Sequence, residues 1–178
     1  MPADRCPSDL AARTLVCLLL TAAVVCLVGL GVAATSAGHA RAALRFGFGG
    51  VERSAVETAR ITAHNAGIAF GIVLAAGVWP HAGLRSRAFL DVVVIAVLTL
   101  NAGAIGVALG AYGPRVLTAL APHAPLELGA FSLAGGTYAH ARACGTRVST
   151  LAVIAAGCLA LLAFAAALET YTPLGAAR

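Results

Sequence analysis

Four stretches of the chain run for 19 residues or more without an Asp, Glu, Lys or Arg: 14–38, 61–79, 92–111 and 148–168. The hydrocarbon core of a bilayer is about 30 Å thick, and a helix needs about 20 residues to cross it. Inside lipid, backbone polar groups find no water and must bond within the segment. The stretches therefore predict transmembrane helices and argue against a water-soluble fold.

The composition supports the same fold class. Of the 178 residues, 60% are apolar and only 11% are charged, whereas about a quarter of an ordinary soluble domain is charged. The mean hydropathy of +0.92 leaves too little polar surface to cover a soluble globule of this size. We therefore predict one integral membrane domain over residues 1–178, an all-α polytopic transmembrane helix bundle of about five spans.

Two parts of this bundle leave alternatives open. A fourth span at 126–141 is short and preceded by Pro122 and Pro125, so it is either a true span, which we favour, or a re-entrant segment. In the connector 39–60, residues 51–60 form either a short interfacial helix or a solvated loop. The first stretch is longer than the apolar region of a signal peptide, about 7–15 residues, which favours an uncleaved helix.

The charges indicate the membrane as the surrounding medium. Twelve Arg and no Lys give a net charge of +5, and the arginines lie singly or in pairs between apolar runs. This placement is typical of membrane-flanking loops and not of a nucleic-acid surface. The paired arginines at 85/87 and 142/147 fall on the same side as the N-terminus, which predicts a cytoplasmic N-terminus.

Polar side chains within or beside the spans are the candidate functional residues, because such groups are costly in lipid. They are His64, Asn65, Asn101, His123 and Glu127. Alternation of the spans brings all but Asn101 to one side of the membrane, with Asn101 about 15 Å deeper. The spacing of His123 and Glu127 predicts a hydrogen-bonded pair on one helix face. The favoured role of these residues is to form hydrogen bonds between helices, ahead of a transport or proton-relay path, a catalytic site and a metal site.

Two GxxxG patterns predict close helix packing, at Gly67 and Gly71 and at Gly106 and Gly110. The five cysteines form no CxxC, which argues against a disulfide framework or a zinc site. Asp91, beside Arg87, is interpreted as a solvated flank. The chain has no GxSxG, HExxH or P-loop motif. We therefore expect a protein without enzymatic activity, metal or cofactor.

The order of these motifs resembles the stage II sporulation protein M family of bacterial membrane proteins. The resemblance covers residues 40–145, and its most specific part is a Pro-His…Glu element before a helix. This chain has Ala124 where glycine is usual, and an added Pro125. The matching segments are His64-Asn65 with Gly67 and Gly71, Leu100–Gly106, Ala121–Leu128, Ala130 and Gly135-Gly136.

The resemblance implies a five-helix protein of the bacterial plasma membrane. The namesake of the family works with cell-wall-degrading partners during engulfment, as the membrane-embedded member that holds them. For this chain it implies a non-enzymatic scaffold for other membrane or cell-envelope proteins or further copies of the chain. The alternative is a permease subunit with a polar path through Asn65, Asn101, His123 and Glu127.

Overall fold

Helices make up the regular structure that the computed structural model gives for residues 9–45 and 52–172. Four of them are long and apolar enough to cross a membrane: α1, α3 with the short 3₁₀ turn that follows it, α4 and α7. The predicted all-α membrane bundle is therefore confirmed. The helices are α1 (Asp9–Thr35), α2 (Ala37–Leu44), α3 (Ala55–Val78), α4 (Leu84–Tyr112), α5 (Pro114–Leu120), α6 (Ala124–Cys144) and α7 (Val148–Tyr171), with the 3₁₀ turn at Trp79–His81.

The four apolar helices turn most of their surface outward. Only 17–28% of the residues in their most apolar segments are buried. Large apolar side chains lie on the outside, with Leu27 70%, Leu100 72% and Val153 71% exposed. A soluble monomer does not cover its surface with leucine and valine in this way, whereas a surface facing lipid tails does. The exterior is thus matched to a bilayer.

Helix α6 differs from the others because neighbours surround it. Residues 134–138 are all buried, and five consecutive helical residues cover every side of a helix. It packs against α1, α3 and α7. Its 21 residues give a length of about 31 Å, which is sufficient for a span. The predicted 126–141 segment is therefore one continuous helix and not a re-entrant turn, with Pro125 in its first turn.

Contacts between helices give their relative directions. Asn65 of α3 meets Glu127 near the start of α6, and Trp79 just after α3 meets Arg142 near the end of α6, so these two helices run parallel. Gly77 near the end of α3 lies against Leu151 near the start of α7, which is antiparallel to it. Helices α1 and α4 run parallel to each other. Arg13, near the start of α1, donates to the carbonyl of Ala139 near the end of α6, so α1 and α6 are antiparallel. Five alternating spans satisfy all of these directions.

The connector after the first span differs from the prediction. Residues 46–51 lie outside the described part of the chain. Residues 55–60 are not a separate interfacial helix but the first turns of α3. Ser54 caps this helix by accepting a hydrogen bond from the Glu57 amide at 3.1 Å, and Arg60 pairs with Glu57 one turn further on. The cap and the ion pair extend the helix beyond its apolar part.

The other short helix, α2, begins at Ala37, within the predicted first span. It is held to the end of α4, where Arg41 donates to the carbonyl of Ala111 and the Tyr112 hydroxyl donates to the Arg41 carbonyl at 3.3 Å. No disulfide joins the cysteines of the described residues, which are Cys17, Cys26, Cys144 and Cys158. Cys6 is outside the described residues.

Only one of the two predicted glycine pairs packs against another helix of the chain. A Cβ on Gly106 would lie 2.8 Å from the Val25 carbonyl oxygen, and one on Gly110 would overlap the Gly29 carbonyl. These glycines bring α1 and α4 into backbone contact. Gly67 and Gly71 are exposed on α3, and a Cβ at either position would have no neighbour within 4 Å. Two glycines outside these patterns, Gly135 and Gly136, bring α6 against Cys17 and Thr14 of α1.

The difference between the two glycine pairs predicts opposite effects on stability when one methyl group is added to a glycine of each pair. Gly110→Ala should lower the stability of the folded protein by about 1–3 kcal/mol, because the added atom overlaps α1 backbone. Gly71→Ala should leave stability unchanged or slightly higher, because its methyl group meets open space. Thermal unfolding of both variants in the same detergent measures the effect. Equal midpoints would show that α1 and α4 are not in backbone contact.

Candidate functional site

Two of the five predicted polar residues, Asn65 and Glu127, come together where α3 meets α6. The Asn65 side-chain amide donates a hydrogen bond of 2.8 Å to Oε1 of Glu127. Asn65 lies two to three turns into α3, and Glu127 lies in the first turn of α6. Both side chains are half-buried. The predicted proximity of Asn65 and Glu127 is therefore observed as a direct tie between two helices.

Two further carboxylates lie at this end of the bundle. Glu169, near the end of α7, is close enough to Glu127 for their charges to interact, and Glu57 similarly acts on Glu169. Arg60 pairs with Glu57 at 2.5 Å, but this pair is on the exposed side of α3. For Glu127, the Asn65 amide is the hydrogen-bonding partner. An amide donor stabilises a half-buried carboxyl group without adding a second charge.

His123 starts α6 through its backbone. Its carbonyl oxygen accepts from the amides of Leu126 at 3.0 Å and Glu127 at 3.2 Å. The side chain is only 8% exposed, and its Nδ1 has no hydrogen-bond partner among the described residues. Burial lowers the pKa of His123, which favours the neutral imidazole. The predicted side-chain pair with Glu127 is therefore not seen, since Glu127 is turned toward Asn65.

The other two predicted residues lie elsewhere. His64 precedes Asn65 but points outward, and it is exposed on α3. Asn101 donates to the Val97 carbonyl of its own helix at 2.8 Å. Helix α4 packs mainly on α1 and has little contact with α3 or α6. The internal bond satisfies the Asn101 amide without a partner helix, which removes it from the predicted cluster.

A second group of polar residues, at the opposite end of the bundle, was not predicted. We call it the Trp79 cluster, and its members are Trp79, Arg87, Asp91, Tyr138 and Arg142. The Tyr138 hydroxyl donates to Oδ1 of Asp91 at 2.7 Å, and Arg142 pairs with Oδ2 at 3.0 Å. Asp91 is therefore a bridge between α4 and α6, and its interpretation as a solvated flank is wrong.

The indole ring of Trp79 is the centre of this cluster. The Arg87 guanidinium lies 4.4 Å from the ring centroid and that of Arg142 lies 5.7 Å from it. Arg87 also donates to the carbonyls of Trp79 at 3.2 Å and Pro80 at 2.9 Å, at the end of α3. The signal in the sequence was the Trp-Pro helix end followed by Arg and Asp one turn apart. Pairing with Tyr138 and Arg142 is a tertiary feature that spacing alone does not give.

Apolar side chains separate the two polar groups. Between Asn65 and the Trp79 cluster, the interface of α3, α6 and α7 is filled by small and branched residues, all nearly inaccessible. They are Ala66, Ala69, Ile72, Val73, Ala76, Ala130, Phe131, Ala134, Cys158 and Leu162. Along this interface the described residues form a packed apolar core. Within this core the Cys158 thiol of α7 donates to the Ala130 carbonyl of α6 at 3.4 Å. The polar side-chain contacts between α3 and α6 in the described residues lie at its two ends.

In the part of the chain that the structure describes, no three His, Cys, Asp or Glu side chains come together at a spacing suited to a metal ion. Comparisons of the chain with protein-family models, with curated proteins and with solved structures find no match. The arrangement itself, a hydrogen bond at one end and an ion-paired aromatic cluster at the other, is suited to holding α3 and α6 in register.

A double-mutant cycle tests the tie between Asn65 and Glu127. Asn65→Ala and Glu127→Ala should each destabilise the folded protein and should be coupled by about 0.6–2 kcal/mol, the range of hydrogen bonds between membrane helices. The free energy of unfolding in mixed micelles measures the coupling. Asn101→Ala removes the same amide from a site bonded to its own helix, so its cycle with Glu127→Ala should show no coupling. Equal coupling in both cycles would contradict the assigned contact.

Proposed function

We propose that the chain is a non-enzymatic membrane scaffold, a bundle of fixed shape that recruits or positions partner proteins. The observation that carries this proposal is that its polar side chains bond to one another between helices. Asn65 and Glu127 bond to each other, and Asp91 is shared by Tyr138 and Arg142. Groups engaged in ties between helices stabilise the shape of a bundle and are not free to bind a solute.

The apolar interface between the two ends favours the scaffold over a permease. A polar path through Asn65, Asn101, His123 and Glu127 would require these residues to line one passage. Asn101 bonds to its own backbone on a helix that packs mainly against α1. A solute leaving the Asn65–Glu127 pair would meet Ala69, Ile72 and Leu162, each at most 3% exposed. A closely packed apolar interface without polar groups does not hold water or ions.

The partners we propose are other membrane or cell-envelope proteins. The resemblance of the Pro-His…Glu element to stage II sporulation protein M points to cell-wall-remodelling enzymes as the class of partner, and to a bacterial plasma membrane as the location. In this proposal the end that carries the Trp79 cluster faces the cytoplasm, together with the N-terminus. Each end carries five arginines of the described residues, but at this end four of them lie in or beside two short loops, Arg85 with Arg87 and Arg142 with Arg147. This local density agrees with the preference of cytoplasmic loops for arginine.

The test combines partner capture with a transport assay. Chemical cross-linking in native membranes, followed by affinity purification of the full chain in mild detergent, should recover a cell-envelope protein in constant ratio to it. Asn65→Ala should reduce this recovery together with the stability of the bundle. His64→Ala is the matched control, since it alters the neighbouring but outward-facing residue and should leave recovery unchanged. A tagged membrane protein of similar size controls for non-specific capture.

A flux assay in proteoliposomes tests the permease alternative. The purified chain should give no solute or proton flux above that of empty vesicles between acidic and neutral pH. Flux that depends on pH and is abolished by Glu127→Gln would contradict the scaffold and support the permease. Recovery of the chain alone, after cross-linking in native membranes, would also contradict it.

A further inference from the structure

The Trp79 cluster has more hydrogen-bond donors than acceptors. Its two guanidinium groups, on Arg87 and Arg142, are matched by a single carboxylate, that of Asp91. Each guanidinium has five N–H donors. Arg142 uses Nη2 on Asp91, and Arg87 uses Nε and Nη2 on two backbone carbonyls. The remaining donors and one positive charge have no counterpart in the described residues of the cluster.

The surplus donors are accessible. The Arg142 side chain is 48% exposed although it is ion-paired. The indole ring holds both guanidinium groups at one place, with Arg87 closer to the ring than Arg142. Arg85, in the first turn of α4, is exposed at the same end. The cluster is thus a preorganised cationic surface, since its arginines are held by ring and backbone contacts before any ligand binds.

The position of the cluster indicates which anion is available. Trp79 lies at the end of α3, where tryptophan commonly marks the level of the lipid headgroups. Large apolar side chains face outward on α4 beyond Arg87, toward the middle of the helix, with Phe89 67% and Val92 65% exposed. A ligand that fits both features has an anionic group at the guanidiniums and hydrocarbon along α4. A phospholipid has this combination, whereas free phosphate has only the first part.

We propose that the Trp79 cluster binds the phosphate of an anionic phospholipid, with Arg142 and Arg87 as its hydrogen-bond donors. The lipid would supply the missing acceptors and the missing negative charge. Its acyl chains would lie along the outer surface of α4 near Phe89 and Val92. Basic pockets between membrane helices bind anionic headgroups by this combination of charge and depth. The bidentate geometry of arginine suits a phosphate oxygen pair.

Native mass spectrometry of the full chain in detergent, titrated with phosphatidylglycerol or phosphatidylcholine, measures the binding. The wild type should bind phosphatidylglycerol about tenfold more tightly than phosphatidylcholine, because both lipids carry the phosphate but the choline ammonium cancels the net negative charge that the surplus arginine would pair with. Arg142→Gln should remove most of that preference. Arg115→Gln is the matched control, because it removes the same charge from an exposed site on α5 at the opposite end, and it should keep the preference.

Two further measurements distinguish loss of lipid binding from misfolding, and a lipid ligand from free phosphate. If Arg142→Gln fails to fold, the double variant Asp91→Asn with Arg142→Gln keeps the two side chains neutral and hydrogen-bonded, and it should fold and still lose the preference. Equal binding of both lipids by the wild type would overturn the proposal, as would equal losses in Arg142→Gln and Arg115→Gln. Inorganic phosphate is the last probe. If it binds and phosphatidylglycerol does not, the site takes free phosphate and the lipid assignment is wrong.

Discussion

The bilayer acts as solvent for most of this chain, and its inability to hydrogen-bond is the constraint on which the structure depends. Apolar helices can face it directly, as α1, α3, α4 and α7 do. A helix that carries Ser132, Thr137, Tyr138 and Glu127 cannot do so at low cost. In this chain that helix is α6, and α1, α3 and α7 enclose it. The arrangement of the bundle follows from which helices tolerate lipid contact.

Two polar ties fix the register of the enclosed helix. At one end Asn65 bonds to Glu127, and at the other Arg142 lies over Trp79. Asn65 and Trp79 are 14 residues apart along α3, and Glu127 and Arg142 are 15 residues apart along α6. On each helix the two contact residues are therefore about 21–23 Å apart along the axis. Because the spacings match, two parallel helices can satisfy both ties at once. The apolar packing between them then needs no further polar contact.

Much of the fold could be predicted from the sequence, because helices that face lipid have a high mean hydropathy. Hydropathy identifies α6 least clearly, since a helix shielded by its neighbours is free to be polar. Helix α6 extends two residues before and three residues beyond the predicted 126–141. Helix starts such as that of α3 at Ala55 depend on a cap and an ion pair, which hydropathy does not measure. Alternation of spans correctly placed Asn65 near Glu127. It did not give the rotation of α4, which turns Asn101 away.

The Trp79 cluster shows a different limit. Asp91 has the same local sequence whether it is solvated or bonded, and only the packing of α4 near the end of α6 decides between the two. The glycines show this as well. GxxxG occurs in both α3 and α4, but it is used within the chain only where a partner helix lies opposite, at Gly29 of α1. Local patterns identify surfaces that permit close packing, and tertiary contacts select among them.

The enclosure of α6 by lipid-facing neighbours can be measured on the unmodified chain. A photoactivated carbene reagent dissolved in the bilayer labels residues that contact lipid, and mass spectrometry of the peptides locates the label. We expect strong labelling on the outer faces of α1, α3, α4 and α7, and the lowest labelling per residue over 130–138 of α6. Labelling of that segment as strong as that of α1 or α4 would contradict the enclosure.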